Sequence, residues 1–200
     1  MSNVEGNTTV MSILLAEVAT VLQNSSKFPV IVAIEGKCGS GKTFYGSKLA
    51  AHFNASLIHC DDFFLPKQLR TPERLAEVGG NIHYERLRQL LSRLQSEQMP
   101  LTYLAYNCST DSYEQRSLVK SNLIVVEGSY ALHPTLADFY NLKILLTVDN
   151  QTQKQRLLIR EGEQGIVNFI NKWIPLENRY FDALDTTDCT VIDTTKYETN

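Results

Sequence analysis

The sequence is short of several things, and each shortage closes off a class of protein. No apolar run approaches the twenty or so residues that a membrane-spanning helix needs. The opening residues Met1 to Thr9 are polar and lack the basic start and apolar stretch of a secretory signal, so export is not expected. Positive charge is scarce: 19 Lys and Arg stand against 22 Asp and Glu, a net charge of -3, and no basic stripe is available to release counterions from a nucleic acid polymer. The four cysteines, Cys38, Cys60, Cys108 and Cys189, are too dispersed for a zinc site or a redox pair and read as reduced thiols. A cytoplasmic protein with a small-molecule partner, and with neither a membrane nor a nucleic acid partner, is the expectation; a homodimer is left open.

What is present is ordinary for a globular chain. At 200 residues and 43% hydrophobic content, one well-buried core is expected, hence a single domain over 1–200. Val10, Ile13, Leu14, Val18, Val21 and Leu22 recur at helical spacing, with Thr8 or Thr9 as the N-cap, so segment 1–28 is read as an N-terminal helix. Runs rich in β-branched residues at 30–34, 123–126 and 144–148 suit buried parallel strands, and 55–60 and 190–192 are weaker candidates. Helical stretches at 42–53, 84–95, 152–161 and 167–180 alternate with them. The alternation predicts an α/β fold, a five-stranded parallel sheet with right-handed crossovers, whose ligands lie beyond the carboxyl ends of the strands. Segment 66–82, with Gly79-Gly80, reads as a long surface excursion.

Directly after the first strand stands Gly36-Lys37-Cys38-Gly39-Ser40-Gly41-Lys42-Thr43, a complete G-x-x-x-x-G-K-[ST] pattern between a strand and a helix. Glycines there let successive N–H groups turn inward, forming an anion nest at the positive end of the following helix. Lys42 is placed for the β and γ phosphates of a nucleotide, and the Thr43 hydroxyl is a hard ligand for Mg²⁺. The loop acts through its backbone, so Cys38 and Lys37 are counted as loop positions, with the Lys37 side chain in solvent.

Acids follow at the strand ends. Asp61 and Asp62 close the second strand, where one carboxylate can take a proton from a hydroxyl that attacks phosphorus; Asp61 is the candidate base and Asp62 an acceptor-side residue. Both could instead cap a turn. Glu127 ends the third strand where a metal-coordinating or acceptor-orienting acid is expected. Arg156 and Arg160, four apart on one helical face, are candidates for charge stabilisation from a lid at 156–166; a solvated face paired with Glu161 and Glu163 is the competing reading. The lone Trp173 reads as packing with Phe169, Ile170 and Ile174.

Together these motifs resemble the uridine kinase-like branch of P-loop kinases, a group that includes nicotinamide riboside, pantothenate and phosphoribulo-kinases. The resemblance rests on Ile34 to Thr43, Asp61-Asp62-Phe63-Phe64-Leu65-Pro66, Gly79-Gly80-Asn81 before Tyr84-Glu85-Arg86-Leu87, Val126-Glu127-Gly128, and Trp173-Ile174-Pro175-Leu176-Glu177 with Tyr180-Phe181. It implies a three-layer P-loop NTPase fold, ATP and Mg²⁺, transfer of the γ-phosphoryl group to a hydroxyl of uridine or a nucleoside-like molecule, Asp61 as catalytic carboxylate, and Arg156 or Arg160 as lid arginines. It also implies that His83, Tyr84 and Asn107 lie on the acceptor side. His83 and Asn107 stand where the group carries aspartates, and a neutral side chain cannot replace a carboxylate gripping two hydroxyls. A nucleotide-binding sensor or assembly protein of the same fold, without transfer, is therefore the alternative. A GTP-driven switch is disfavoured because no N-K-x-D type motif is present.

Overall fold

A computed structural model of the chain describes residues 3–97 and 100–197. The elements in chain order are α1 (Asn3–Asn24), β1 (Val30–Gly36), α2 (Lys42–Phe53), β2 (Ser56–His59), α3 (Pro72–Ala76), α4 (Tyr84–Ser96), β3 (Leu101–Asn107), β4 (Ser112–Leu118), β5 (Leu123–Glu127), β6 (Leu142–Thr147), α5 (Asn150–Asn168), α6 (Ile174–Ala183) and β7 (Thr190–Asp193). Short 3₁₀ turns at Cys60–Phe63, Lys67–Leu69 and Pro134–Phe139 link some of them, and a π-helical segment, Phe169–Trp173, joins α5 to α6.

Five parallel strands form the sheet in the order β2-β5-β1-β6-β7, as the alternation predicts. The central strands are apolar on both faces because both faces are covered. Val30, Val32 and Ile34 of β1 join α1 and α2 in one core, whereas Ile31 joins α4, β3 and α6 in the other. The result is a three-layer sandwich. On α4, Leu87, Leu90, Leu91 and Leu94 are all buried at helical spacing, each contributing roughly 1.5–3 kcal/mol of apolar burial.

Two expectations change. The first helix starts at Asn3, so its backbone runs through Thr8 and Thr9 and neither is its N-cap; Met1 and Ser2, which the 1–28 segment included, lie outside the described residues. The spacing of buried Val10, Leu14 and Val18 is as expected. An antiparallel hairpin, β3 with β4, was not anticipated. Its inner strand alternates buried Leu101, Tyr103 and Ala105 with exposed Thr102 and Leu104, the period of a half-covered strand. Excursion 66–82 is only partly superficial: Gly79, Gly80, Asn81 and Ile82 are buried, and Ile82 bridges to Phe64.

Candidate active site

The turn after β1 is a phosphate loop in geometry as well as in sequence. Gly39 and Gly41 adopt φ of 80° and 90°, a region that side-chain-bearing residues rarely enter, and Gly41 leads directly into α2. Lys42 Nζ reaches back over the loop to the Lys37 carbonyl at 3.4 Å, so its ammonium lies across the mouth of the turn.

Strand order brings the acids to this loop. β5 lies beside β1 and β2 lies beside β5, so their carboxyl ends open on the same edge. Glu127, at the end of β5, is 3% exposed and accepts a hydrogen bond from Thr43 Oγ1 at 2.9 Å. Its other oxygen is bonded to His59 Nδ1 at the end of β2, and that bond raises the imidazole above its usual pKa against the opposing effect of burial. Asp61, in the turn after β2, opens on the same cleft as Lys42, Thr43 and Glu127. Asp61 is exposed to the open cleft, yet its carboxyl is shifted above the usual aspartate range: the protein mass walling the cleft disfavours charge, Lys42 opposes this, and Glu127 adds to it.

Thr43 and Glu127 place two hard oxygens in contact, with Asp61 on the same cleft. That donor set fits Mg²⁺, which keeps several waters and takes one or two carboxylates beside substrate phosphates. Among the described residues no group of three or more His, Cys, Asp or Glu forms an all-protein metal cage, which the same mode of binding does not require.

The loop is also clasped from outside. Both Glu177 oxygens accept from Cys38 N, at 3.1 and 3.0 Å, and Oε1 also accepts from Ser129 Oγ at 2.7 Å. Asn178 takes the Lys37 ammonium at 2.6 Å, so Lys37 is a tether to α6 and not the solvated side chain expected. From α5, Gln153 Nε2 donates to the Cys38 carbonyl at 2.9 Å and Arg156 to the Gly39 carbonyl at 2.9 Å. Burial and the neighbouring Glu177 push the Cys38 thiol far above its ordinary pKa, which removes thiolate chemistry at the loop.

The two arginines of the expected lid part company. Arg156 is half-buried and also bonds Thr194 Oγ1, the Thr194 carbonyl and the Tyr197 carbonyl, so its guanidinium is pinned as a clamp between the loop and the C-terminal segment and does not swing. Arg160 is exposed, pairs with Glu161 at 2.6 Å, and faces both the cleft and the loop mouth. Between it and the π segment, α5 kinks at Gly162, where φ is 72°.

On the acceptor side the sequence expectations are corrected in part. His83 and Tyr84 do not reach the cleft: His83 bonds Glu85 at 3.0 Å, while Tyr84 stacks on His133 and holds the Arg74 guanidinium that pairs with Glu85. Asp62 is buried and bonded to Tyr103 at 2.7 Å and Arg116 at 3.1 Å, so it fastens the hairpin to the end of β2. Asn107 shares a side recess with Asp61 and Asp62, but its Oδ1 is occupied by Ser109 N and Thr110 N at the hairpin turn. Asn81, Tyr130 and Trp173 line the cleft instead. Trp173, expected to pack with Phe169, Ile170 and Ile174, lies on the cleft wall with its ring 6.1 Å from that of Phe64.

A P-loop flanked by acids from two neighbouring strand ends, on a five-stranded parallel sheet, is the fold of P-loop kinases. No protein-family model matches the chain. A uridine kinase of Bacillus cereus (strain B4264) is 27% identical over 173 residues, covering 77% of this chain and 80% of that protein. A uridine kinase of Bacillus pumilus is 24% identical with similar coverage, 77% and 81%. In fold, the chain matches a Silicibacter sp. TM1040 structure provisionally named a fructose transport system kinase (TM-score 0.76, 20% identity, 91% of this chain and 98% of that one). It also matches a Bacillus stearothermophilus structure provisionally named a uridine kinase (TM-score 0.69, 20% identity, 92% and 97%). In sequence the chain is similar to uridine kinases, and in fold to P-loop kinase structures.

Proposed function

We propose that the protein transfers the γ-phosphoryl group of ATP to a hydroxyl of a small molecule, with Mg²⁺ bound at Thr43 and Glu127. The observation that carries this reading is the shared cleft that holds Lys42 and Thr43 of the loop together with Asp61 and Glu127. The triphosphate lies in the turn after β1, its charge met by the loop N–H groups and Lys42. Bound there, Mg²⁺ supplies positive charge to the phosphate oxygens. Asp61 takes the proton of the acceptor hydroxyl as its oxygen bonds to phosphorus and the bond to the ADP oxygen breaks. His59 holds Glu127 in place, and Arg160 offers a cation at the mouth, from the part of α5 beyond the pinned Arg156 and just before its kink at Gly162. Phe64, Phe169 and Trp173 keep water from the reacting phosphorus.

The name of the curated relatives makes uridine and other nucleosides the first acceptors to try. In this reading the chain works as a single domain in the cytoplasm. Among the described residues no helix is long and apolar enough to cross a membrane. A second reading, ATP binding without transfer, draws on the engagement of His83 and Asn107 away from the cleft. Incubation with Mg·ATP and a panel of nucleosides, sugars and vitamins, with ADP as readout, separates the two. Acceptor-dependent ADP supports transfer; ATP binding without it supports the second reading; failure to bind Mg·ATP removes both.

A further inference from the structure

Beside the cleft lies a groove of about 400 Å³, against about 280 Å³ for the cleft itself, and the two share Phe64, Arg70, Asn81 and Trp173 as common walls. A molecule whose hydroxyl faces Asp61 can therefore extend past these four residues into the groove. The character of the lining changes on the way. The cleft holds Asp61, Glu127 and Glu177 beside its cations, but the groove has no acidic residue in its lining and three basic ones, Arg70, Lys172 and Arg179.

None of the three is paired with a carboxylate among the described residues. Arg70 donates to the Leu65 carbonyl at 2.7 Å and to Cys108 Sγ at 3.6 Å; Arg179 donates to the Leu75 and Glu77 carbonyls; Lys172 lies over the Trp173 ring at 4.6 Å. These partners orient the cations and leave their charge uncompensated by any carboxylate, with Lys172 and Arg179 exposed and Arg70 half-buried. A second observation is independent of charge. Asn81 is 7% exposed, its Nδ2 has no hydrogen-bond partner, and it stands where the cleft and groove meet. The neighbouring Tyr130 is 2% exposed and its hydroxyl is likewise without an aligned partner, although Asn81 lies against it. The two side chains interact with each other at the cleft end of the groove, and the amide of Asn81 carries a second proton that a ligand's polar atom can take. Asn171, Lys172 and Trp173 also belong to the π-helical segment, a geometry frequent at functional sites.

We infer that the acceptor is an alcohol carrying an anionic group, a carboxylate or a phosphate monoester, which lies in this groove against Arg70, Lys172 and Arg179 while Asn81 and Tyr130 bind the polar atoms between. The inference rests on the kinase reading for the position of the hydroxyl, and it separates this chain's acceptor from a neutral nucleoside. The aromatic walls, Phe64 and Trp173, hold the body of the ligand and lower the local dielectric, which strengthens the ion pairs.

Matched pairs of probes test it: glycerol with glycerate, pantothenol with pantothenate, and ribose with ribose 5-phosphate, titrated calorimetrically into the full chain saturated with Mg·ADP. The expected result is binding of an anionic member about three- to tenfold tighter than its neutral twin, the ratio that one or two ion pairs to these largely exposed cations supply. That preference is expected to disappear in Arg70→Gln/Arg179→Gln, with the thermal unfolding midpoint reporting that the variant is folded. The carboxylate and phosphate pairs distinguish the two anions. Equal or tighter binding of the neutral twins, a preference that survives in the double variant, or no binding by any anionic member overturns the inference. The kinase reading stands or falls separately, on Mg·ATP binding and on acceptor-dependent ADP from any alcohol, neutral ones included.

Discussion

Glu177 and Cys38 meet across the fold, a carboxylate of α6 taking the N–H of a phosphate-loop residue at 3.0 Å. The same carboxylate takes the Ser129 hydroxyl, so one side chain ties α6 to the loop and to the turn after β5. Glu177→Ala leaves both donors unpaired in a buried setting. Loss of about 1–3 kcal/mol of unfolding free energy is expected, measured by urea denaturation, together with weaker ATP binding as the loop loses its fixed path. An unchanged midpoint would show that the contact does not hold the loop.

Asp61 carries the proposed proton transfer, and its charge is disfavoured by its surroundings. The base must be ionised, so kcat/KM is expected to fall on the acid side with an apparent pKa above the ordinary aspartate value. Asp61→Asn is expected to lower kcat by about 10²–10⁴ while ATP affinity changes little. A variant that retains most of its turnover assigns the proton to another group.

Thr43 and Glu127 share one hydrogen bond and are expected to share one ion. Thr43→Ala and Glu127→Gln should each raise the Mg²⁺ concentration needed for half-maximal ATP binding, by roughly 10–100-fold for loss of a ligand-holding contact. The double variant should cost less than the sum of the singles, because the residues act as a pair. Additive effects would place the ion elsewhere.

Glu35 is fully buried beneath the loop and accepts from Gly36 N, Tyr130 N, Leu132 N and the Tyr180 hydroxyl. Burial outweighs these donors and raises its pKa from 4.5 to about 7. The folded protein therefore binds a proton that the unfolded chain has released between those values. The stability this contributes is fully present below 4.5 and is lost as pH rises through 7, amounting to about 3 kcal/mol. Urea unfolding from pH 5 to pH 8 should show this decline in the wild type and a flatter profile in Glu35→Gln; parallel profiles would show that Glu35 is ionised throughout.

The sheet was legible because its strands are written in local sequence: 30–34, 123–126 and 144–148 are apolar runs, and a complete phosphate-loop pattern fixes where the first one ends. Asp61 and Glu127 were legible for the same reason, as acids that terminate strands. The hairpin was not, because β4 is exposed over most of its length and offers no apolar signal, while β3 shows only a short alternation. The clasp on the loop was invisible for a different reason. Glu177 and Cys38 are 139 positions apart, and nothing local in α6 says which donor its acid will meet. His83 and Tyr84 were misplaced because a resemblance transfers position along the chain, whereas Arg74, Glu85 and His133 decide where those side chains turn.

The hairpin fastened by Asp62 has a wider consequence. The parts proposed to meet the acceptor, excursion 66–82 and the π segment, stand outside the parallel sheet, as the hairpin does. The nucleotide half rests on strand ends and cannot be altered without disturbing the core. On the proposed reading, exchanging one alcohol for another becomes a matter of re-dressing these peripheral segments around an unchanged nucleotide half.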